Sequence, residues 1–240
     1  MRRTLVLLHG FTQTRQSWRR TIGALGGRYR AVAPDLPGHG LAAARRPASF
    51  PACTAYVRAL ADGAPLTLAG YSMGGRIALH AALALRPLVE RLVLVGASPG
   101  IADAAEREAR RAADEELAAR IEASTIEPFA VEWGAQPLFA GQEERVAAAA
   151  YADRLRNTPE GLAAALRGLG TGVMAPLWEQ LPELAIPVTL VVGERDEKFR
   201  AIAEAMAGRL PAVELVVIDG AGHAAQLERP DAVAAAIARA

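Results

Sequence analysis

Ser72 lies in Gly70-Tyr71-Ser72-Met73-Gly74, a G-x-S-x-G arrangement between the apolar run "LTLA" and an alanine-rich helical pattern. The glycines let backbone approach backbone at a sharp strand-to-helix turn, which lifts the serine hydroxyl above the strands at a helix N-terminus. A hydroxyl held there becomes reactive once a base takes its proton. Four histidines are available. His9 in "LHGF" and His39 in "PGHG" read as braces of their own turns, and His80, eight residues beyond the serine, reads as core packing. His223 stands in the glycine-flanked "DGAGH" loop after the last apolar run, where its ring can swing over the strand ends, and it is the expected base.

An imidazole acting as base needs an acid to orient it, and that acid should come from another strand end. Asp196 follows "VTLVVGER" and fills the role; Glu194 is expected to face away, and Asp219, close to His223, to cap the turn. The order along the chain is then Ser72, Asp196, His223, with backbone N–H groups of Phe11 and Met73 expected as an oxyanion hole.

These groups need a frame that delivers them to one edge. Six short apolar runs, "TLVLL", "RAVA", "LTLA", "RLVLV", "VTLVV" and "VELVVI", read as buried strands separated by segments of helical length, among them 74–85 and 197–208. Such alternation predicts a doubly wound, mostly parallel α/β sheet of about six strands. Its ligand belongs at the carboxyl ends of the strands, where "HGF", "PDLPGHG", "GYSMGG", "GERDEKF" and "DGAGH" all fall. The alternation breaks once. From about Ala102 to Gln180 the chain is rich in Ala, Glu and Arg, punctuated by Pro128, Pro137 and Pro159. This predicts a helical cap, 102–180, inserted after the fourth strand into a core formed by 1–101 and 181–240.

Composition excludes several classes. The chain of 240 residues is 52% hydrophobic with a net charge of +1, so it is globular and has no global drive toward nucleic acid or membrane. No run approaches the length of a bilayer span, and the arginines before the first strand are followed by no signal-peptide cleavage pattern. The single cysteine, Cys53, cannot form an internal disulfide, which favours a reducing compartment and a cytoplasmic location. Of 27 basic residues only Lys198 is a lysine, a bias that suits carboxylate binding and genome composition equally well. No obligatory protein partner is evident.

The runs "LHGF", "DLPGHG", "GYSMGGR", "SPG", "QPLF", "GERDEKFR" and "AGH", with an arginine-rich cap helix, resemble one branch of the α/β-hydrolase superfamily. That branch is the 2-succinyl-6-hydroxy-2,4-cyclohexadiene-1-carboxylate synthases of menaquinone biosynthesis. The resemblance covers the whole chain and implies an α/β-hydrolase fold, here lacking the antiparallel hairpin that opens many members. It implies a cytoplasmic lyase that needs no cofactor and no metal and acts on a small polycarboxylate. The serine, activated by the histidine–aspartate pair, would abstract a proton; charge would develop on a conjugated carbonyl, and pyruvate would leave. The substrate carries three carboxylates, which arginines can grip two-pronged. Arg76, one helical turn beyond Ser72, faces the same mouth. The resemblance adds Arg110 and Arg156 in the cap, with Arg154 a rival for the second place, together with Trp133 and Tyr71. Two other readings stay open: a carboxylesterase or carbon–carbon bond hydrolase using the same triad, and a catalytically silent binding protein.

Overall fold

The computed structural model describes residues 2–86 and 88–239. Six strands form one parallel sheet: β1 (Thr4–Leu8), β2 (Arg30–Val32), β3 (Leu66–Tyr71), β4 (Val89–Val95), β5 (Val188–Gly193) and β6 (Val213–Ile218). Their order is β2-β1-β3-β4-β5-β6. The chain therefore runs outward from β1 to β2, returns to the far side of β1, and proceeds in the other direction. The reversal leaves a crevice at the carboxyl ends of β1 and β3, the place where open α/β sheets take ligands.

Both faces of the sheet are covered, which explains why the strands read as continuous apolar runs. Successive side chains point to opposite faces. Val6 and Leu8 join a core layer with Val57, Ile77 and Met206 of the helices α2 (Phe50–Ala61), α3 (Met73–Ala84) and α8 (Glu197–Ala207), while Leu5 and Leu7 join the other with Val233 and Ile237. The second layer is closed by α1 (Arg19–Ala24), α9 (Ala225–Glu228) and α10 (Pro230–Ala238). Each fully buried leucine of this kind contributes about 2 kcal/mol.

Between β4 and β5 the chain is helical: α4 (Ala104–Glu122), α5 (Ile126–Gly134), α6 (Glu144–Arg154) and α7 (Pro159–Leu169). Asp103 and Thr158 cap α4 and α7 through the amides of Glu106 and Gly161. The four helices have a small core of their own, around Ile121, Phe129 and Leu162, against which Phe11 and Trp133 pack. Where this segment leaves and rejoins the sheet its two ends are tied together: Leu177 N–H donates to Pro99 O at 2.7 Å, and Trp178 Nε1 to Gly100 O at 3.0 Å. Among the described residues no helix is long and apolar enough to cross a membrane.

Candidate active site

β3 ends at Tyr71 and α3 begins at Met73, so Ser72 alone makes the turn, with φ +50° and ψ −109°. This is the left-handed region, costly for a residue with a Cβ, and it is held by close packing around it. A Cβ on Gly70 would lie 2.3 Å from Gly74 O, and one on Gly74 would lie 2.2 Å from Leu8 O, so both positions require glycine. Ser72 N–H donates to Val95 O at 2.9 Å, which ties the turn to β4.

The hydroxyl so presented faces His223. Ser72 Oγ lies 3.3 Å from His223 Nε2, and His223 Nδ1 lies 2.6 Å from Asp196 Oδ2. Asp196 also caps α8 through the Phe199 amide, at 3.4 Å, and the carboxylate is buried. The Phe199 ring packs on the imidazole, centroids 4.4 Å apart. The His223 loop is pinned from behind by Glu228, a buried carboxylate that accepts from Gly222 N–H at 2.8 Å and from Arg195 Nη2 at 2.9 Å. The turn before it differs from expectation: Glu194, not Asp219, accepts the Gly220 N–H, at 2.8 Å. Asp219 is exposed. Glu194, the first residue after β5, reaches across the loop to that amide.

The other histidines hold backbone. His9 Nδ1 donates to Gly10 O at 2.9 Å and Nε2 accepts from Leu36 N–H at 3.0 Å, bracing the loop that carries Phe11. His39 packs edge-on to both His9 and Phe11. Burial lowers the pKa of His9 and, more strongly, of His39. His80 packs on Phe50 and is pushed down to about 4 by burial and the nearby Arg76.

A cavity of about 280 Å³ opens above Ser72, lined by His223, Phe11 and Met73 on the sheet side and by Trp133, Leu166 and Leu169 on the helical side. Three cations line it, Arg76, Arg110 and Lys198, and no carboxylate does. Arg76 donates from Nη2 to Leu169 O at 3.0 Å, while its buried Nε has no partner. Burial, aided by the charge of Arg110, lowers its pKa to about 10. Arg110 pairs through Nε with the buried Asp114 at 2.7 Å. Trp133 stands edge-on to Phe11, centroids 5.1 Å apart, joining the helical roof to the β1 loop.

Two expected substrate residues do not reach this cavity. Arg156 lies just beyond α6, 58% exposed, 3.7 Å from Asp153. Arg154, two residues earlier, turns inward: it is 5% exposed and its guanidinium sits over the Phe139 ring. Arg154 is the last residue of α6 and Arg156 follows its C-cap Leu155, so the two side chains leave the chain in different directions and only Arg154 packs inward. Tyr71 is buried beneath the cavity, its ring 5.3 Å from that of His223 and tight against Gly10. It supports the imidazole from below. Gln136, Thr171 and Phe199 also line the cavity, as does Lys198, which the sequence marks only by its being the sole lysine.

The arrangement is a hydroxyl that can pass its proton to an imidazole, beneath a cavity lined by Arg76, Arg110 and Lys198. The model of the alpha/beta hydrolase family matches residues 5–236. A 2-succinyl-6-hydroxy-2,4-cyclohexadiene-1-carboxylate synthase of Klebsiella pneumoniae is 34% identical over 238 residues, covering 98% of this chain and 92% of the relative. Among solved structures, MenH from S. aureus superposes with a TM-score of 0.93 at 33% identity, covering 98% of this chain and 91% of that one. A thermophilic esterase from Thermogutta terrifontis, solved with malate bound, superposes with a TM-score of 0.81 at 27% identity, covering 98% and 88%. The chain belongs to the alpha/beta hydrolase family.

Proposed function

We propose that this protein is a 2-succinyl-6-hydroxy-2,4-cyclohexadiene-1-carboxylate synthase. It is a lyase of menaquinone biosynthesis that eliminates pyruvate from 2-succinyl-5-enolpyruvyl-6-hydroxy-3-cyclohexene-1-carboxylate. The observation that carries the reading is the cavity above Ser72, lined by three cations of which only Arg110 is paired with a carboxylate of the protein's own, Asp114. A substrate with three carboxylates supplies the missing charge. The lone buried Cys53 and the absence of a membrane-length helix among the described residues support a cytoplasmic place of work.

In this reading Ser72 gives its proton to His223 Nε2, and Asp196 at Nδ1 steadies the imidazolium. The alkoxide takes a proton from the ring carbon acidified by the adjacent succinyl carbonyl and the neighbouring ring double bond. Negative charge moves to that carbonyl oxygen, where the N–H groups of Phe11 and Met73 receive it; Met73 is the first residue of α3, and its N–H has no acceptor within the helix. As the charge returns, the ring C–O bond to the enolpyruvyl group breaks. The proton held by His223 goes to the departing enolpyruvate, which becomes pyruvate, and Ser72 is again a neutral hydroxyl. No bond between Ser72 and carbon is needed.

A second reading, a carboxylesterase, draws on the same Ser72–His223 contact and on the likeness to the Thermogutta esterase. It requires an acyl group on Ser72, and it gives three cations no task. The test is pyruvate release from the authentic substrate, followed beside p-nitrophenyl ester turnover and intact mass. Pyruvate formation with slow ester turnover is expected. A stoichiometric acyl adduct on Ser72, fast ester turnover and no pyruvate would overturn the synthase reading.

A further inference from the structure

Lys198 is the sole lysine among 27 basic residues, and it lines the cavity above Ser72. The fold gives no reason for a cation there. Lys198 is the second residue of α8, in the first turn, where the positive end of the helix dipole disfavours positive charge. Its neighbours are spoken for: Arg195 pairs with Glu228, Arg200 with Glu204, and Asp196 with His223. Lys198 pairs with no carboxylate among the described residues.

We infer that Lys198 is the third carboxylate receptor of the site, serving the substrate carboxylate that Arg76 and Arg110 leave over. The inference rests on the polycarboxylate reading above and replaces the cation that Arg156 does not supply. The three receptors stand on three elements: Arg76 on α3, Arg110 on α4, and Lys198 on α8 beside His223. Three anchoring points on separate elements fix both position and face of a ring, where two would let it pivot about the line joining them. Lysine suits the α8 position. Its ammonium is a compact charge with three donors on a flexible stem, able to meet an oxygen from several directions without the planar match that arginine imposes.

The test uses Lys198→Met, which keeps the stem and removes the charge, and Lys198→Arg, which restores the charge. A partly exposed charge-assisted hydrogen bond predicts that Lys198→Met raises KM about ten-fold, with kcat within a few-fold of wild type. Lys198→Arg should recover most of the loss, and melting temperatures should not fall because the side chain is exposed. Titration calorimetry with pyruvate and with succinate tells which end of the substrate Lys198 holds: the acid whose affinity falls in Lys198→Met is the one it receives. Unchanged KM and unchanged affinity for both acids in Lys198→Met would overturn the assignment, as would failure of the wild type to bind either acid. A wild-type protein that binds these acids but forms no pyruvate would instead sink the synthase reading and leave the Lys198 assignment to the binding measurement.

Discussion

The strand-end loops and the end of α6 both present polar side chains near the cavity, and they do so with very different certainty. Ser72, Asp196 and His223 each sit within a tight turn at a strand terminus, fixed by neighbouring backbone, and meet at hydrogen-bond distances of 3.3 Å and 2.6 Å. At the end of α6, Arg154 and Arg156 are chemically identical and two residues apart, yet one is 5% exposed and the other is a surface group. A turn at a strand end dictates direction from local chemistry. A helix dictates only periodicity, and its phase is set by whatever docks against it.

The sharpest way to break this contrast is at the strand ends. Ser72→Ala, His223→Ala and Asp196→Asn should each lower kcat by about a thousand-fold or more, and the double variants should be little worse than the single ones, because one proton relay fails only once. Steady-state kinetics on the authentic substrate decides it. An Asp196→Asn variant close to wild type would show that the acid was misassigned.

Arg76 bridges the two sides of the cavity, standing on the core helix α3 but reaching the carbonyl of Leu169 on α7. Truncating an arginine that grips a carboxylate in a partly desolvated pocket costs about 2–5 kcal/mol, so Arg76→Ala should reduce kcat/KM by about 30-fold to a few thousand-fold. Its stability effect should run the other way. Burial holds its pKa down to about 10, so the folded protein carries this charge reluctantly at neutral pH. Arg76→Met should therefore raise the melting temperature, by roughly 2–4 °C if about 1 kcal/mol is recovered. The pH dependence has a defined sign. Above pH 10 the folded protein loses this charge before the unfolded chain does, so kcat/KM should fall as the pH rises through about 10 while Arg76's contribution to stability improves. A variant that lost both activity and melting temperature would show that Arg76 is structural.

The smallest effects should come from α6. Arg156→Ala should leave kcat/KM within about two- or three-fold of wild type, as befits an exposed ion pair. Arg154→Ala should lower stability by about 1 kcal/mol through loss of its packing on Phe139. Should Arg156→Ala prove as damaging as Arg76→Ala, the orientation of α6 described above would be wrong.

How far the sequence could be read follows from the same contrast. The sheet was legible because buried parallel strands are uninterrupted apolar runs, and "TLVLL", "LTLA" and "VTLVV" fall within β1, β3 and β5. The loops after β3, β5 and β6 were legible because glycine and strand-end position single them out. The resemblance points to Arg156 with Arg154 as its rival, and the spacing of the two carries no information about which one packs inward. Tyr71 was legible as the elbow's neighbour but not as a residue beneath the cavity, since alternation along β3 sends it away from Ser72. Glu194 and Asp219 could not be ranked for the turn, because both lie within reach of Gly220 until the loop is closed. Lys198 was visible only as a compositional oddity, since a helix's first turn must be placed against a cavity before its side chains acquire a purpose.

The helical segment between β4 and β5 is also sewn into the loops after β1 and β2. Asp153 accepts from Thr14 N–H at 2.9 Å and from Thr14 Oγ1 at 2.5 Å, while Asn157 donates to Thr12 O at 2.8 Å and accepts from Gly40 N–H at 3.0 Å. Thr12 sits at φ +66°, a conformation that needs such support. The consequence is for modularity. Deleting residues 102–180 would strip the β1 loop of its buried hydrogen-bond partners and relax the segment that presents Phe11. The helical segment is therefore not an exchangeable lid over a finished enzyme: a chimera that swaps it must carry its own equivalents of Asp153 and Asn157 to rebuild the floor as well as the roof.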